Sequence, residues 1–320
     1  MTFSILIPTY NGEPNIRQLF DSLCAQDVHP NEIVVIDSSS KDRTLELVRN
    51  FEERFDLTVK TIPGSQFNHG GTRNLAARSA TGEILVFMSQ DIILQGSGCL
   101  SALLEKFRDA SVASVYGKQV PYPYHHPVNR FQRHYNYGEK EIVKGSENAS
   151  EFGIKAYFNS NSFSSYRKDV FDACGGFDSN AIFGEDTVFT KKLLESGYRV
   201  VYTPDAVVMH SHDYSLPETF RRYFDLGVCH RLLFRKGVSR KSNGAEGTSY
   251  LAAQMRWLAS QKYLGSIPFA VADLAVKGVG YKLGFYHHLI PHTLKGRLSM
   301  NKAYWKVKLS TSLESAAIHQ

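Results

Sequence analysis

Glu185 and Asp186 are adjacent carboxylates in Gly184-Glu185-Asp186-Thr187, where a loop containing Gly175-Gly176-Phe177-Asp178 gives way to an apolar helical pattern at Phe189, Leu193 and Leu194. Carboxylates at a helix start interact favourably with the positive end of its dipole, and an isolated pair would be read simply as a cap. Other chemistry-bearing residues fall at comparable points. Asp37 ends the apolar run Ile33-Val34-Val35-Ile36, Asp91 follows Ile84-Leu85-Val86-Phe87-Met88 after Ser89-Gln90, and His210 and His212 follow Ala206-Val207-Val208-Met209. In an open α/β sheet the carboxyl ends of the strands border the ligand crevice, so all of these side chains are candidates to meet there.

Each candidate has a functional and a plain structural reading. Asp37, followed by Ser38-Ser39-Ser40, can accept hydrogen bonds from a ribose or a base edge, or can bond its own backbone in a turn. There is no G-x-G-x-x-G, so a nicotinamide site is not expected. His69-Gly70-Gly71-Thr72-Arg73-Asn74 opens a helix with bare backbone N–H groups and a guanidinium, which suits a diphosphate as well as it suits an ordinary helix start. Asp91 beside Gln90 can help hold a hard divalent cation that also takes phosphate oxygens; a structural Asp would leave the same trace. His210 and His212 alternate along one strand and can turn both imidazoles to the crevice.

The elements that position them alternate. Phe3 to Pro8 reads as a strand, Asn15 to Cys24 as a helix, Glu32 to Ile36 as a strand, Asp42 to Phe55 as a helix capped by Asp42, and Leu57 to Ile62 as a strand. A helix from Gly70 to Ala80 and a strand from Glu83 to Met88 follow, with further strand character at Tyr157 to Phe163 and Arg199 to Val208. This pattern predicts an α/β fold, a mostly parallel sheet flanked by helices. The polar, aromatic-rich stretch from Pro121 to Ser150 lacks periodicity and is expected to be a loop near a substrate or packing for a second copy in a homo-oligomer.

A chain of 320 residues can bury a sizeable core and carry an appendage. Its net charge of +6 is unevenly placed: from Tyr214 onward there are 16 Lys or Arg against 5 Asp or Glu, which leaves the front net acidic. We therefore expect a domain over residues 1–213 and a basic, mainly helical extension over 214–320. In that extension Arg221, Arg222, Arg231, Arg235, Lys236, Arg240 and Lys241 accompany apolar helical positions such as Phe220, Phe224 and Val228. Such a tail suits an anionic membrane, and charge alone does not separate that from a phosphorylated substrate or nucleic acid. Cys24, Cys99, Cys174 and Cys229 are scattered without a CxxC and read as reduced thiols of a cytosolic protein. Met1 leads directly into strand pattern, leaving no secretory signal in view, and Asp273, Lys277 and Lys282 break the most apolar window, Tyr263 to Ile290, short of a spanning helix.

Taken together, Pro8-Thr9-Tyr10-Asn11, Asp37 with Ser40-Lys41-Asp42-Arg43-Thr44, Arg73-Asn74, Asp91, Gly175-Gly176-Phe177-Asp178, Gly184-Glu185-Asp186 and the late histidines resemble the ordered motif set of inverting family-2 glycosyltransferases with the GT-A fold, over about residues 3–213. The resemblance implies a Rossmann-like GT-A sheet in which Pro8, Thr9, Asn11, Asp37, Arg73, Asn74, Gln90 and Asp91 hold a nucleotide-sugar donor. It implies that Asp91 with His210 or His212 binds Mg²⁺ or Mn²⁺ on the diphosphate, and that Asp186, beside Glu185, is the general base. The family's DxD stands here as Ser89-Gln90-Asp91. With Phe67 to Asn74 and His210-Ser211-His212, that variant is similar to bacterial rhamnosyltransferases of surface polysaccharide synthesis. The donor expected is then dTDP-L-rhamnose, with an apolar wall for the sugar's methyl group drawn from Phe67, Tyr157 or Phe183. The expected acceptor is a lipid-linked glycan at the cytoplasmic face of the membrane. A UDP-hexose or another dTDP-hexose is the alternative donor, and a non-catalytic nucleotide- or glycan-binding module the competing class; no nucleic-acid partner is expected.

Overall fold

The structure is a computed structural model that describes residues 1–235 and 243–306; Lys236, Arg240 and Lys241 lie outside the described residues. The chain folds as two compact units, the first made of Met1–His125, Gln132–Ser179 and Glu185–Ser211, the second of His126–Phe131, Asn180–Gly184 and His212–Gln320.

The first unit is built on nine strands: β1 (Phe3–Thr9), β2 (Glu32–Asp37), β3 (Leu57–Thr61), β4 (Ile84–Met88), β5 (Ile93–Leu94), β6 (Val112–Val120), β7 (Ile142–Lys144), β8 (Phe163–Arg167) and β9 (Arg199–Met209). They form one sheet in the order β3-β2-β1-β4-β8-β6-β9-β5, with β7 on β9. β3, β2, β1 and β4 run parallel, as do β6 and β9, while β8 is inserted antiparallel to both of its neighbours. The carboxyl ends of β1, β2, β4, β6 and β9 therefore lie on one edge of the sheet, together with the amino end of β8. That shared edge is what collects the candidate residues.

The helices are α1 (Glu13–Cys24), α2 (Thr44–Arg49), α3 (His69–Ser79), α4 (Cys99–Glu105), α5 (Pro127–Asn136), α6 (Ala149–Phe152), α7 (Lys168–Ala173) and α8 (Glu185–Glu195). Strands covered on both faces are continuously apolar, and their alternate residues feed two cores. Ile5, Ile7, Ile33 and Val35 pack with Ile16, Leu19 and Phe20 of α1, whereas Leu6, Val34, Ile36 and Phe87 pack with Ala76 and Ala77 of α3 and Phe189 and Leu193 of α8.

Three expectations need correction. The helix expected from Asp42 to Phe55 ends at Arg49 and gives way to turns. Asp42 takes its bonds from Thr44 N at 3.1 Å and Glu13 N at 3.1 Å, and Phe51 and Phe55, whose spacing imitates a helix, pack from the turns onto Phe20. The strand expected at Tyr157 to Phe163 starts only at Phe163, because the buried side chains of Asn159 and Asn161 take up polar bonds that divert the backbone first. The stretch from Pro121 to Ser150 is not all loop: it holds α5 and β7.

In the second unit, α9 (Leu216–Arg235), α10 (Asn243–Ser260), α11 (Ile267–Phe285) and α12 (His292–Leu298) follow. α9 and α11 meet backbone to backbone at glycines: a Cβ on Gly280 would stand 2.6 Å from the Phe220 carbonyl oxygen, and one on Gly284 would overlap that of Phe224. α11 buries two of its charges as an i,i+4 ion pair, Asp273 with Lys277 at 2.7 Å. The basic side chains of α9 are partly absorbed by packing, since Arg222 lies over the rings of Phe183 at 5.0 Å and Tyr214 at 5.4 Å, and Arg231 over Phe285 at 5.3 Å. Among the described residues no helix is long and apolar enough to cross a membrane.

Candidate active site

At the β2 end of the edge, Asp37 is fully buried and its carboxylate accepts from Thr9 Oγ1 at 3.0 Å, Ser40 N at 2.9 Å and Ser40 Oγ at 2.5 Å. The turn reading of Asp37 is thus realised, and a carboxylate with about four acceptor positions retains capacity beyond those three bonds. The turn also sets the neighbouring loop. Asn11, at a φ of 46°, donates its N–H to Ser40 Oγ and accepts from Lys41 N, each at 2.9 Å. Pro8 and Thr9 are the last residues of β1 before it.

Gln90 faces that same loop. Tyr10 N donates to its Oε1 at 2.9 Å and its Nε2 donates to Tyr10 O at 3.0 Å, so the amide fastens the turn after β4 to the turn after β1. Gly12 makes room for it, because a Cβ there would fall 2.6 Å from Gln90 Oε1. In this structure Gln90 positions the loop that carries Asn11.

Asp91 leaves β4 half-buried, and its Oδ2 lies 3.5 Å from Nε2 of the buried His210. The other face of that imidazole is fixed. Gln119 Nε2 donates to Ser160 Oγ at 2.8 Å, which leaves Gln119 Oε1 to accept from His210 Nδ1 at 2.9 Å. With the Gln119 amide in this orientation Nδ1 is the donor, and Nε2 is the ring nitrogen that faces Asp91. His212 follows two residues along the chain, and one ligand atom from each of Asp91, His210 and His212 lies within 4.8 Å of the others. Ligand atoms placed about 2.1 Å from one ion are at most about 4.2 Å apart, so small side-chain adjustments would fit this set to a divalent cation. Its mixed carboxylate and imidazole donors suit Mn²⁺ and admit Mg²⁺.

The acidic pair opens α8, as the sequence implied. Glu185 is buried against Arg73, with Nη1 to Oε1 at 3.0 Å, and Asn161 Nδ2 donates to the same oxygen at 3.2 Å. Asp186 accepts from Thr187 N at 2.7 Å and Asn161 N at 3.2 Å. Asn161 is held in turn by Ser164 Oγ and Tyr166 Oη, both donating to its Oδ1 at 2.8 Å. Burial and then the Glu185 charge raise Asp186 well above the usual carboxylate range. Glu185 goes the other way: burial pushes it up, but the charges of Arg73 and His69 and the Asn161 bond outweigh that and leave it lowered. One carboxylate is thereby kept ionised and the other made a better proton acceptor, the arrangement that general-base chemistry calls for.

The other side chains expected at the donor are engaged elsewhere. The anion met by Arg73 is Glu185, and Asn74 clasps the backbone of the glycine loop, donating to Phe177 O at 2.8 Å and accepting from Phe177 N at 2.9 Å. These residues set the acidic pair in place. Of the expected wall residues, Phe67 stands edge-on to His69 at 5.1 Å, Tyr157 packs at the margin of the α3 and α8 core, and Phe183 belongs to the second unit beneath Arg222. Asn161, Gln119 and Tyr122 were not legible as site residues. Their one trace is position, in the last residues of a strand or close beside a strand end at the shared edge.

Comparison with known proteins agrees with this geometry. Residues 4–175 match glycosyl transferase family 2. The chain is 36% identical over 318 residues, 98% of its length and 99% of the relative's, to the O-antigen chain rhamnosyltransferase RfbN of Salmonella typhimurium, and 35% identical over 318 residues to WbaN, of the same description, from Salmonella anatum. Among solved structures it resembles the mannosyltransferase PcManGT from Pyrobaculum calidifontis in complex with GDP-Man and Mn²⁺ (TM-score 0.56, 22% identity, covering 97% of this chain and 86% of that one). It likewise resembles S. aureus TarS 1-349 (TM-score 0.55, 21% identity, covering 100% and 92%). The fold is that of the GT-A glycosyltransferases, and the chain belongs to glycosyl transferase family 2.

Proposed function

We propose that this glycosyltransferase moves L-rhamnose from dTDP-L-rhamnose, with inversion, to a hydroxyl of a lipid-linked surface polysaccharide. The observation that carries the donor is the full-length match to two O-antigen chain rhamnosyltransferases. The reaction is carried by Asp186. Its raised carboxylate takes the acceptor's hydroxyl proton as that oxygen forms a bond to the anomeric carbon, and the bond from that carbon to the nucleoside diphosphate breaks with the electron pair leaving on the diphosphate. Glu185, neutralised by Arg73, stays ionised and favours protonation of Asp186. The loops around Asp37 and Asn11 face the nucleoside. A Mg²⁺ or Mn²⁺ ion, held by Asp91, His210 and His212 when bound, would offset the charge of the departing diphosphate.

We assign a membrane contact to α11 and the residues after it. Val271, Val279, Leu283, Tyr286 and Leu289 are exposed there, and between residues 251 and 300 the only acid is the buried Asp273. Exposed apolar side chains in a stretch whose exposed charges are all cationic suit an anionic lipid surface better than a second copy of the same stretch.

Five outcomes test these assignments. A donor screen reading nucleoside diphosphate release should favour dTDP-rhamnose, with leakage to dTDP-glucose because an apolar pocket rejects an added hydroxyl by only about 10²-fold; exclusive use of a UDP-hexose refutes the donor. Asp186→Asn should cost about 10²–10⁴ in turnover while leaving donor affinity unchanged. Because the base form of Asp186 is lost as pH falls through a raised pKa, the acid limb of kcat/KM should lie above the ordinary carboxylate range and move to lower pH in Glu185→Gln. A limb that stays put in that variant removes Glu185 from the pair. EDTA should abolish transfer and Mn²⁺ restore it, with Mn²⁺ binding seen by electron paramagnetic resonance weakened in Asp91→Ala and His210→Ala; unaltered binding in both discards the ligand set. Finally, the protein should float with anionic vesicles at low salt and Leu283→Asp should sink, whereas a wild-type dimer that ignores vesicles would give that face to a second copy.

A further inference from the structure

The turn after β6 supplies a part of the site that neither the family match nor the acidic pair accounts for. Tyr124 is 76% exposed, the highest value of any large apolar side chain among the described residues. Yet it is firmly held. Its ring stacks on buried Tyr122 at 5.3 Å and 28°, and stands edge-on to His125 at 4.8 Å and 86°. The Tyr122 carbonyl accepts from His125 N at 3.2 Å, closing a four-residue turn with Pro123 at its second position, where proline's fixed φ stiffens the backbone. Pro121 precedes it.

This turn is tied directly to the residues of the site. Tyr122 Oη donates to the Asp91 carbonyl at 3.0 Å, Tyr122 N donates to Ser211 Oγ at 3.0 Å, and that hydroxyl also pairs with His125 Nδ1 at 2.7 Å. Ser211 is the residue after His210. An exposed aromatic face whose two flanking rings, Tyr122 and His125, are pinned by three hydrogen bonds to the segments after β4 and β9 is organised to receive a ligand, since a ring serving only as surface gains nothing from such bracing.

The position of the turn along the sheet edge selects the ligand. Asp37 ends β2 and the Asn11 loop ends β1; Asp91 follows β4; Asn161, which holds Asp186, precedes β8; Tyr124 follows β6. From β2 to β6 is four strand steps, about 19 Å at about 4.8 Å each. Tyr124 therefore lies past the base, on the side away from the nucleoside loops and next to the Asp91 and His210 segments, a side left to the group that supplies the attacking hydroxyl. An apolar ring face offered there matches the C–H face of a pyranose, and tyrosine gives such a surface at low conformational cost.

We infer that Tyr124, braced by Tyr122 and His125, is a stacking platform for a sugar ring of the acceptor glycan. The inference rests on the Asp37 side of the edge being the nucleotide side. It sets acceptor affinity and takes no part in donor binding or bond breaking.

The experiment is saturation-transfer NMR with methyl glycopyranosides of rhamnose, mannose, galactose and glucose, run with dTDP as a second ligand in the same sample. Wild type should bind at least one pyranoside. Tyr124→Ala should weaken that binding by about fivefold or more and leave dTDP binding and donor hydrolysis unchanged, while Tyr124→Phe and Tyr124→Trp, which keep the ring, restore it. Absence of pyranoside binding, equal binding in wild type and Tyr124→Ala, or failure of Tyr124→Phe overturns the platform. Loss of dTDP binding in Tyr124→Ala assigns the ring to the donor and likewise overturns it. If wild type binds pyranosides in a Tyr124-dependent way but not dTDP, the dTDP donor falls while the ring remains a sugar platform.

Discussion

The buried pair of Arg73 and Glu185 is the interaction on which the rest of the site depends. Two carboxylates stand side by side at the head of α8, and one guanidinium reaches only the first of them. Glu185 is thus compensated and Asp186 is left as the charge in excess, which is why burial acts on it so strongly. Removing one partner of such a pair typically costs about 3–5 kcal/mol, because the other charge is left stranded out of water. The surroundings keep the pair together: Asn74 clasps the Phe177 backbone, and Gly70 lets α3 approach so closely that a Cβ there would contact the Asp178 carbonyl.

The sheet converts this local balance into an ordered site. Parallel strands put their carboxyl ends on one edge, and the antiparallel β8 contributes its start to the same edge. Asn161 exploits that reversal. Lying just before β8, it reaches both acids with its backbone N–H and side-chain amide, while Ser164 and Tyr166 of the strand itself hold its carbonyl oxygen. A strand running the other way would have placed that residue at the opposite edge.

Much of this was legible in the sequence. The runs at Phe3, Glu32 and Ile84 are short, apolar and bounded by polar turns, so strand ends and the acids that follow them could be read directly. The roles of Arg73, Asn74 and Gln90 could not. A guanidinium at a helix start is chemically ready for any anion, and only the fold shows that the anion present belongs to a residue more than a hundred positions away. The strand at Val112 and the polar start of β8 escaped for a related reason: their side chains alternate between the core and buried hydrogen bonds, which blurs the apolar signal. Tyr122 carried no chemistry of its own until the turn brought it to Asp91.

Gln90 carries an evolutionary consequence. Its amide both accepts from and donates to the backbone of Tyr10, a pairing that a side-chain amide makes with its two ends at once. A carboxylate at that position would still accept from Tyr10 N but would set negative charge against the Tyr10 carbonyl. A single change to Glu at 90 would therefore add an acid beside Asp91 only while unlatching the loop that bears Asn11. Such a change is opposed at this residue by a bond between an amide and the backbone alone.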